Sequence, residues 1–208
     1  DLDETGVDVA IPGWTSLADD FKCSETGYIT DIPFWGSFAN DCLPPGGPAS
    51  LTFQITLYSD IPATPDSHSM PGDPVWGPHI FEPCTYSVRR MADGPEGWYD
   101  PTTGDYIATN HFKAFQYNIC IDQDMAYLQK EGTIYWLEIK PVVGIGDLEP
   151  EYKFGWKTTK LDLSWNDDAV YRTASGGWSD IIYPDQHSFH PESLNLAFVI
   201  TGEGIPDP

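Results

Sequence analysis

The sequence predicts an all-β chain: an antiparallel β-sandwich of jelly-roll type with about ten short strands. Three observations carry this. Apolar residues recur with a period of two, the repeat of a half-buried strand, rather than at helical spacing. The connections hold most of the 19 Gly and 19 Pro, which mark turns. Finally, 8 Trp, 11 Tyr and 10 Phe in 208 residues supply a large core, so the chain is not an acidic disordered one.

Taken in order, Val7, Val9 and Ile11 alternate within an N-terminal extension, residues 1–17, and Pro12 ends the run because it has no N–H to donate. The extension reads as a docking strand that adds to an open sheet edge, either of a neighbouring subunit or of the chain's own sheet. The sandwich domain spans 18–202 and a tail follows at 203–208. Within the domain, Ile32, Phe34, Gly36 and Phe38 share one strand face, and Leu51, Phe53, Ile55 and Leu57 another. Phe115, Tyr117, Ile119 and Ile121 form a third such face. Ile134 and Trp136 oppose Tyr135, Leu137 and Ile139, a strand apolar on both sides. Leu194, Leu196, Phe198 and Ile200 close the set. Turn-rich segments fall at 43–48, 61–74, 92–104 and 142–150, and a single helical turn is predicted within 122–129. No fixed repeat is visible, which excludes a solenoid or propeller of equal units.

Thirty-two Asp and Glu against ten Lys and Arg give a formal net charge of −22. Such a charge must lie outside; it disfavours nucleic acid and anionic membranes and favours divalent cations. Cys23, Cys42, Cys84 and Cys120 lack zinc-site spacing and are expected to form two intramolecular disulfides, which points to an oxidising compartment. The three pairings remain open. Apolar runs are far shorter than the ~20 residues of a membrane span, and any secretion signal is expected to have been removed.

Ten strings then read together: ADDFKC at 18–23, TGYITDIPFWGSF at 26–38, FQITLYSDIPATP at 53–65, HSMPGDPVW at 68–76, GWYDP at 97–101, QYNICI at 116–121, EGTIYWLEI at 131–139, FGWKTT at 154–159, WNDDAVY at 165–171 and LNLAFVITG at 194–202. In this order they resemble an uncharacterised extracellular β-sandwich family of secreted proteins from planctomycete-like bacteria, often sorted to the surface by a PEP-CTERM tail. The resemblance implies a secreted sandwich and names neither activity nor ligand. The chain ends at IPDP without the apolar tail, so release or self-assembly is expected in place of sorting.

Candidate sites follow from residue chemistry. Asp19 and Asp20, with Asn166, Asp167 and Asp168, could bring carboxylate and amide oxygens together for calcium, which takes six to eight such ligands. The bland alternative is that these Asp accept from turn amides. Asp147, Glu149 and Glu151 are a second choice, and Asp1, Asp3, Glu4 and Asp8 a third. Trp98, Tyr99 and Trp178 lie in predicted loops, where aromatic planes could stack on sugar rings or else cover the ends of the sandwich. There is no nucleophile elbow, HExxH, phosphate-binding loop or dinucleotide fingerprint, and the five His are dispersed. The expected function is a non-catalytic, calcium-stabilised structural protein that assembles with itself as a fibre, sheath or surface-layer subunit. A carbohydrate-binding module that recognises surface glycans is the alternative, and a hydrolase the weakest reading.

Overall fold

The computed structural model describes residues 6–13, 15–65, 67–142, 152–160, 169–173 and 175–204. Two mostly antiparallel sheets pack face to face, as the two-residue periodicity requires. Thirteen strands are present among the described residues: β1 (Val7–Ala10), β2 (Leu17–Lys22), β3 (Gly27–Phe38), β4 (Thr52–Ile61), β5 (Met70–Phe81), β6 (Tyr86–Asp100), β7 (Asp105–Cys120), β8 (Leu128–Gln129), β9 (Ile134–Val142), β10 (Phe154–Lys157), β11 (Val170–Arg172), β12 (Trp178–Asp180) and β13 (Thr201–Gly204). One sheet runs β12-β11-β2-β9-β4-β5. The other runs β10-β1-β6-β7-β3-β13, with β8 also on β3.

A further pairing changes the architecture of that second sheet. β10 bonds to β1 on one side, through Val9 opposite Trp156, and to β3 on the other, through Gly36 opposite Trp156. The strands β10, β1, β6, β7 and β3 therefore close into a five-stranded ring, which leaves no edge among them. The expected docking strand is thus a strand of the chain's own sheet. Val7 and Val9 are fully buried and Ile11 is 4% exposed, so their apolar side chains are used inside this molecule rather than in a neighbour. β1 lies antiparallel to β10 and parallel to β6, the single parallel pair among the described strands.

An aromatic cluster joins the two sheets. Phe53 on β4 meets Phe34, Tyr117 and Phe154 edge-on at 5.2, 5.2 and 5.5 Å, while Phe34 stacks on Tyr117 at 5.1 Å. Such edge and stacked pairs add ~0.5–1.5 kcal/mol each to the burial of their area. Gly36 lets the ring close here. A Cβ at this position would lie 2.5 Å from the Gly155 carbonyl oxygen and 2.5 Å from the Phe154 ring. Gly36→Ala is accordingly expected to cost about 1–3 kcal/mol through overpacking, read as a lower urea midpoint with an unchanged slope.

Several expectations need correction. The segment 92–104 is not a loop: β6 is 15 residues long and runs to Asp100, and the turn is confined to 101–104. Register shifts between Arg90 and Asp93, and again between Asp93 and Glu96, absorb the extra residues as bulges. Likewise 61–74 contains the start of β5. The run 194–200 makes isolated bridges, Thr158 to Leu196 and Phe34 to Phe198, in place of a regular strand. Residues 122–129 contain one hydrogen-bonded turn, Met125 N–H to the Asp122 carbonyl, before β8. The turn predicted at 142–150 lies almost entirely outside the described residues.

The four cysteines are free. Asp41, next to Cys42, accepts from the amides of Phe112 and Lys113 on β7. Cys120 lies at the far end of that strand, ~25 Å away at ~3.3 Å per residue, whereas a disulfide needs Cα atoms within ~7 Å. Cys23 is buried, and its Sγ donates to the Glu25 carbonyl at 3.0 Å. Cys84 occupies the β5–β6 turn with φ 74°. Among the described residues no helix is long and apolar enough to cross a membrane.

Candidate functional site

Strand alternation turns Asp8 away from Val7 and Val9, and Lys157 away from Trp156. The two are partners in the β1–β10 register. On the neighbouring pair, Glu96 of β6 stands opposite His111 of β7. Ring closure brings all four together: His111 Nε2 lies 3.0 Å from Asp8 Oδ2, and Lys157 Nζ donates to Glu96 Oε2. Asp8, His111 and Lys157 are fully buried and Glu96 is 8% exposed. A carboxylate only accepts, so His111 donates from Nε2. Its Nδ1 and the Oδ1 of Asp8 have no hydrogen-bond partner among the described residues.

Burial pushes the Glu96 carboxyl above its ordinary value, against the opposing pull of Lys157. The folded chain therefore holds this proton more tightly than the unfolded one. The associated stability is complete below the ordinary value, near 4.5, and is lost as the pH rises through the raised folded value. Glu96→Gln should flatten that slope, which a melting-temperature series from mildly acidic to neutral pH would show as convergence of the two proteins toward the acid end.

A second polar network braces the other sheet. Glu138 is 3% exposed and accepts from Ser16 Oγ at 2.5 Å and from the Tyr58 hydroxyl at 2.8 Å. Arg172 Nη2 donates to Tyr58 at 3.1 Å and to Glu138 at 3.4 Å, and its guanidinium lies 4.2 Å from the Trp178 ring centroid. Burial first, and then the Glu138 charge, push the Tyr58 hydroxyl up to about 12, so it stays a donor throughout the neutral range.

Of the first set of residues expected to hold calcium, only Asp19 and Asp20 lie among the described residues. Asp19 and Asp20 pair with Leu137 and Trp136, successive residues of β9 that point to opposite faces. Asp19 accepts from the backbone amides of Asp20 at 2.9 Å and Leu196 at 2.6 Å, the amide-satisfying role. Asn166, Asp167 and Asp168 lie outside the described residues, as do Asp147, Glu149, Glu151, Asp1, Asp3 and Glu4. Among the described residues no group of three or more His, Cys, Asp or Glu is placed for a metal ion.

The aromatic candidates separate. Tyr99 belongs to the main core at 9% exposure. Trp178 has Arg172 over one face. Trp98 alone lines an open groove, together with Asn40, Asp41, Ile107, Asn110 and Lys153. Asn40 and Asp41 are consecutive non-glycine residues at φ 56° and 55°, a strained conformation that tends to occur at ligand sites. Asn40 N–H donates to Asn110 Oδ1 at 2.8 Å, and Asn110 Nδ2 donates back to Asn40 Oδ1 at 3.1 Å. Sequence reading missed Asn40, Asp41, Ile107, Asn110 and Lys153, together with Glu96, His111 and Lys157. The one local signal was a lysine placed among buried aromatics in FGWK.

Residues 1–201 match the model of a family described as a domain of unknown function, DUF7901. Neither the curated proteins nor the solved structures contain a match. The matched span takes in both sheets apart from most of β13, together with the buried quartet and the groove, and the chain belongs to the DUF7901 family.

Proposed function

We propose that this protein is a non-catalytic module of the cell exterior, a stiff acidic β-sandwich with a structural role. One observation supports it above others: three sets of ionisable side chains that the fold brings together are largely buried and matched to one another. Asp8 with His111, Glu96 with Lys157, and Glu138 with Ser16, Tyr58 and Arg172 are used in holding strands, and a group that turns over substrate has to reach it. The chain carries a net charge of −22, and exposed carboxylates such as Asp73, Glu82, Asp105, Asp122 and Glu131 are where calcium would neutralise it.

Self-association through a donated first strand is not part of this reading, because β1 is used in the chain's own ring. The long edge strand β5 is a poor template as well. It carries Pro71, Pro74 and Pro78 and a register broken in three places against β4, devices that blunt edge-to-edge pairing. Association would instead bridge acidic faces through the ion. Calcium should raise the melting temperature and the sedimentation coefficient more than sodium chloride of equal ionic strength. Equal shifts from the two salts would reduce the effect to screening and remove calcium from the account.

A further inference from the structure

The groove has the features of a ligand site. Its volume is about 590 Å³, within the range of ligand pockets. Its apolar lining is Ile107, 49% exposed, and Trp98, of which only 5% is exposed. Its rim is polar. The reciprocal bonds between Asn40 and Asn110 use one Nδ2 hydrogen of Asn110 and both side-chain oxygens, and leave the Nδ2 hydrogens of Asn40, one of Asn110 and the Lys153 ammonium as donors at the lining. The Asp41 carboxylate is engaged by the Phe112 and Lys113 amides, at 3.2 and 2.9 Å, and so fixes the rim to β7.

Donors grouped beside an apolar strip match a ring that carries hydroxyls on its edge and C–H bonds on its face. The field of a −22 chain repels anions, which selects an uncharged ligand over a phosphate or a uronate. We propose that this groove binds a short neutral oligosaccharide, with Asn40, Asn110 and Lys153 donating to its hydroxyl oxygens and Ile107, beside the small exposed part of Trp98, underlying its apolar face. The proposal rests on the non-catalytic reading, since the same pocket in a hydrolase would cleave what it holds.

The test uses the full chain. Saturation-transfer NMR and tryptophan fluorescence are followed while glucose, galactose, mannose, xylose and N-acetylglucosamine, and their soluble β-linked tetramers, are added to their solubility limits. At least one tetramer should saturate, with affinity weakened about 5–10-fold in Asn110→Ala and in Lys153→Ala, the loss of one hydrogen bond each. Unchanged melting temperatures keep folding out of the comparison, and Ile107→Asp should abolish binding. No saturable sugar in the panel, or binding indifferent to all three substitutions, overturns the site. Chromatography of the bound tetramer after prolonged incubation separates the two claims: intact sugar supports both, whereas shortened sugar leaves the site standing and overturns the non-catalytic reading.

Discussion

Replacing Lys157 with methionine is expected to remove about 3–5 kcal/mol, a large part of the ~5–15 kcal/mol that holds a typical domain together. Lys157 is fully buried against Glu96, so methionine fills its volume but leaves the Glu96 carboxylate without its cation, while Asp8 keeps His111. The penalty is the desolvated negative charge, not lost packing. It should therefore shrink in acid, where the already raised Glu96 carboxyl takes up a proton. Removal of both partners separates the terms: Glu96→Leu combined with Lys157→Met should recover most of the loss, because a buried ion pair replaced by apolar groups is often neutral or better. Urea unfolding at neutral pH reads all three. A single substitution that costs less than ~1 kcal/mol would mean that water reaches the pair.

Deletion of residues 1–13 is expected to abolish folding, not to yield a folded monomer. β1 is hydrogen-bonded on both sides, to β10 and β6, and it contributes Val7 and Val9 to the main core and Asp8 to the quartet. Its loss opens the ring, exposes two strand edges and strands His111 in the interior without its acceptor. Near-ultraviolet circular dichroism and one-dimensional NMR of the truncated chain should show no fixed tertiary packing. A truncated protein with native dispersion would place β1 among the dispensable elements.

How far the sequence could be read follows from how local each feature is. β4 and the C-terminal half of β7 were legible because Phe53, Ile55 and Leu57, like Phe115, Tyr117 and Ile119, put apolar groups on one face with a strict period of two. β9 was legible as a two-sided strand for the same reason, with Trp136 and Leu137 both fully buried on opposite faces. The distal part of β6 was not, since Gly94, Pro95 and Gly97 have the composition of a turn, and only the partner strand shows that bulges carry the ladder through them. The alternation of Val7, Val9 and Ile11 disclosed a strand but not its partner, because pairing is chosen by tertiary closure. Asp8 meets His111 across 103 residues, and the groove gathers positions 40, 98, 110 and 153; no local window contains either. The cysteines show the converse error. An even count in an acidic chain was read as a disulfide framework, whereas the span of β7 keeps Cys42 and Cys120 apart and the fold leaves each of the four thiols free.

The most direct test of the central claim, that the first strand and the buried quartet lock this chain's own ring, is native-state hydrogen exchange at the amides of Asp8, Val9 and Ala10, read alongside sedimentation of the same sample. In a monomer these amides should exchange as slowly as those of Tyr117 and Leu137 in the core, because only global unfolding frees a strand bonded on both sides. Exchange at the rate of a frayed terminus, or protection that develops only as the protein associates, would contradict the account and return β1 to a neighbouring subunit.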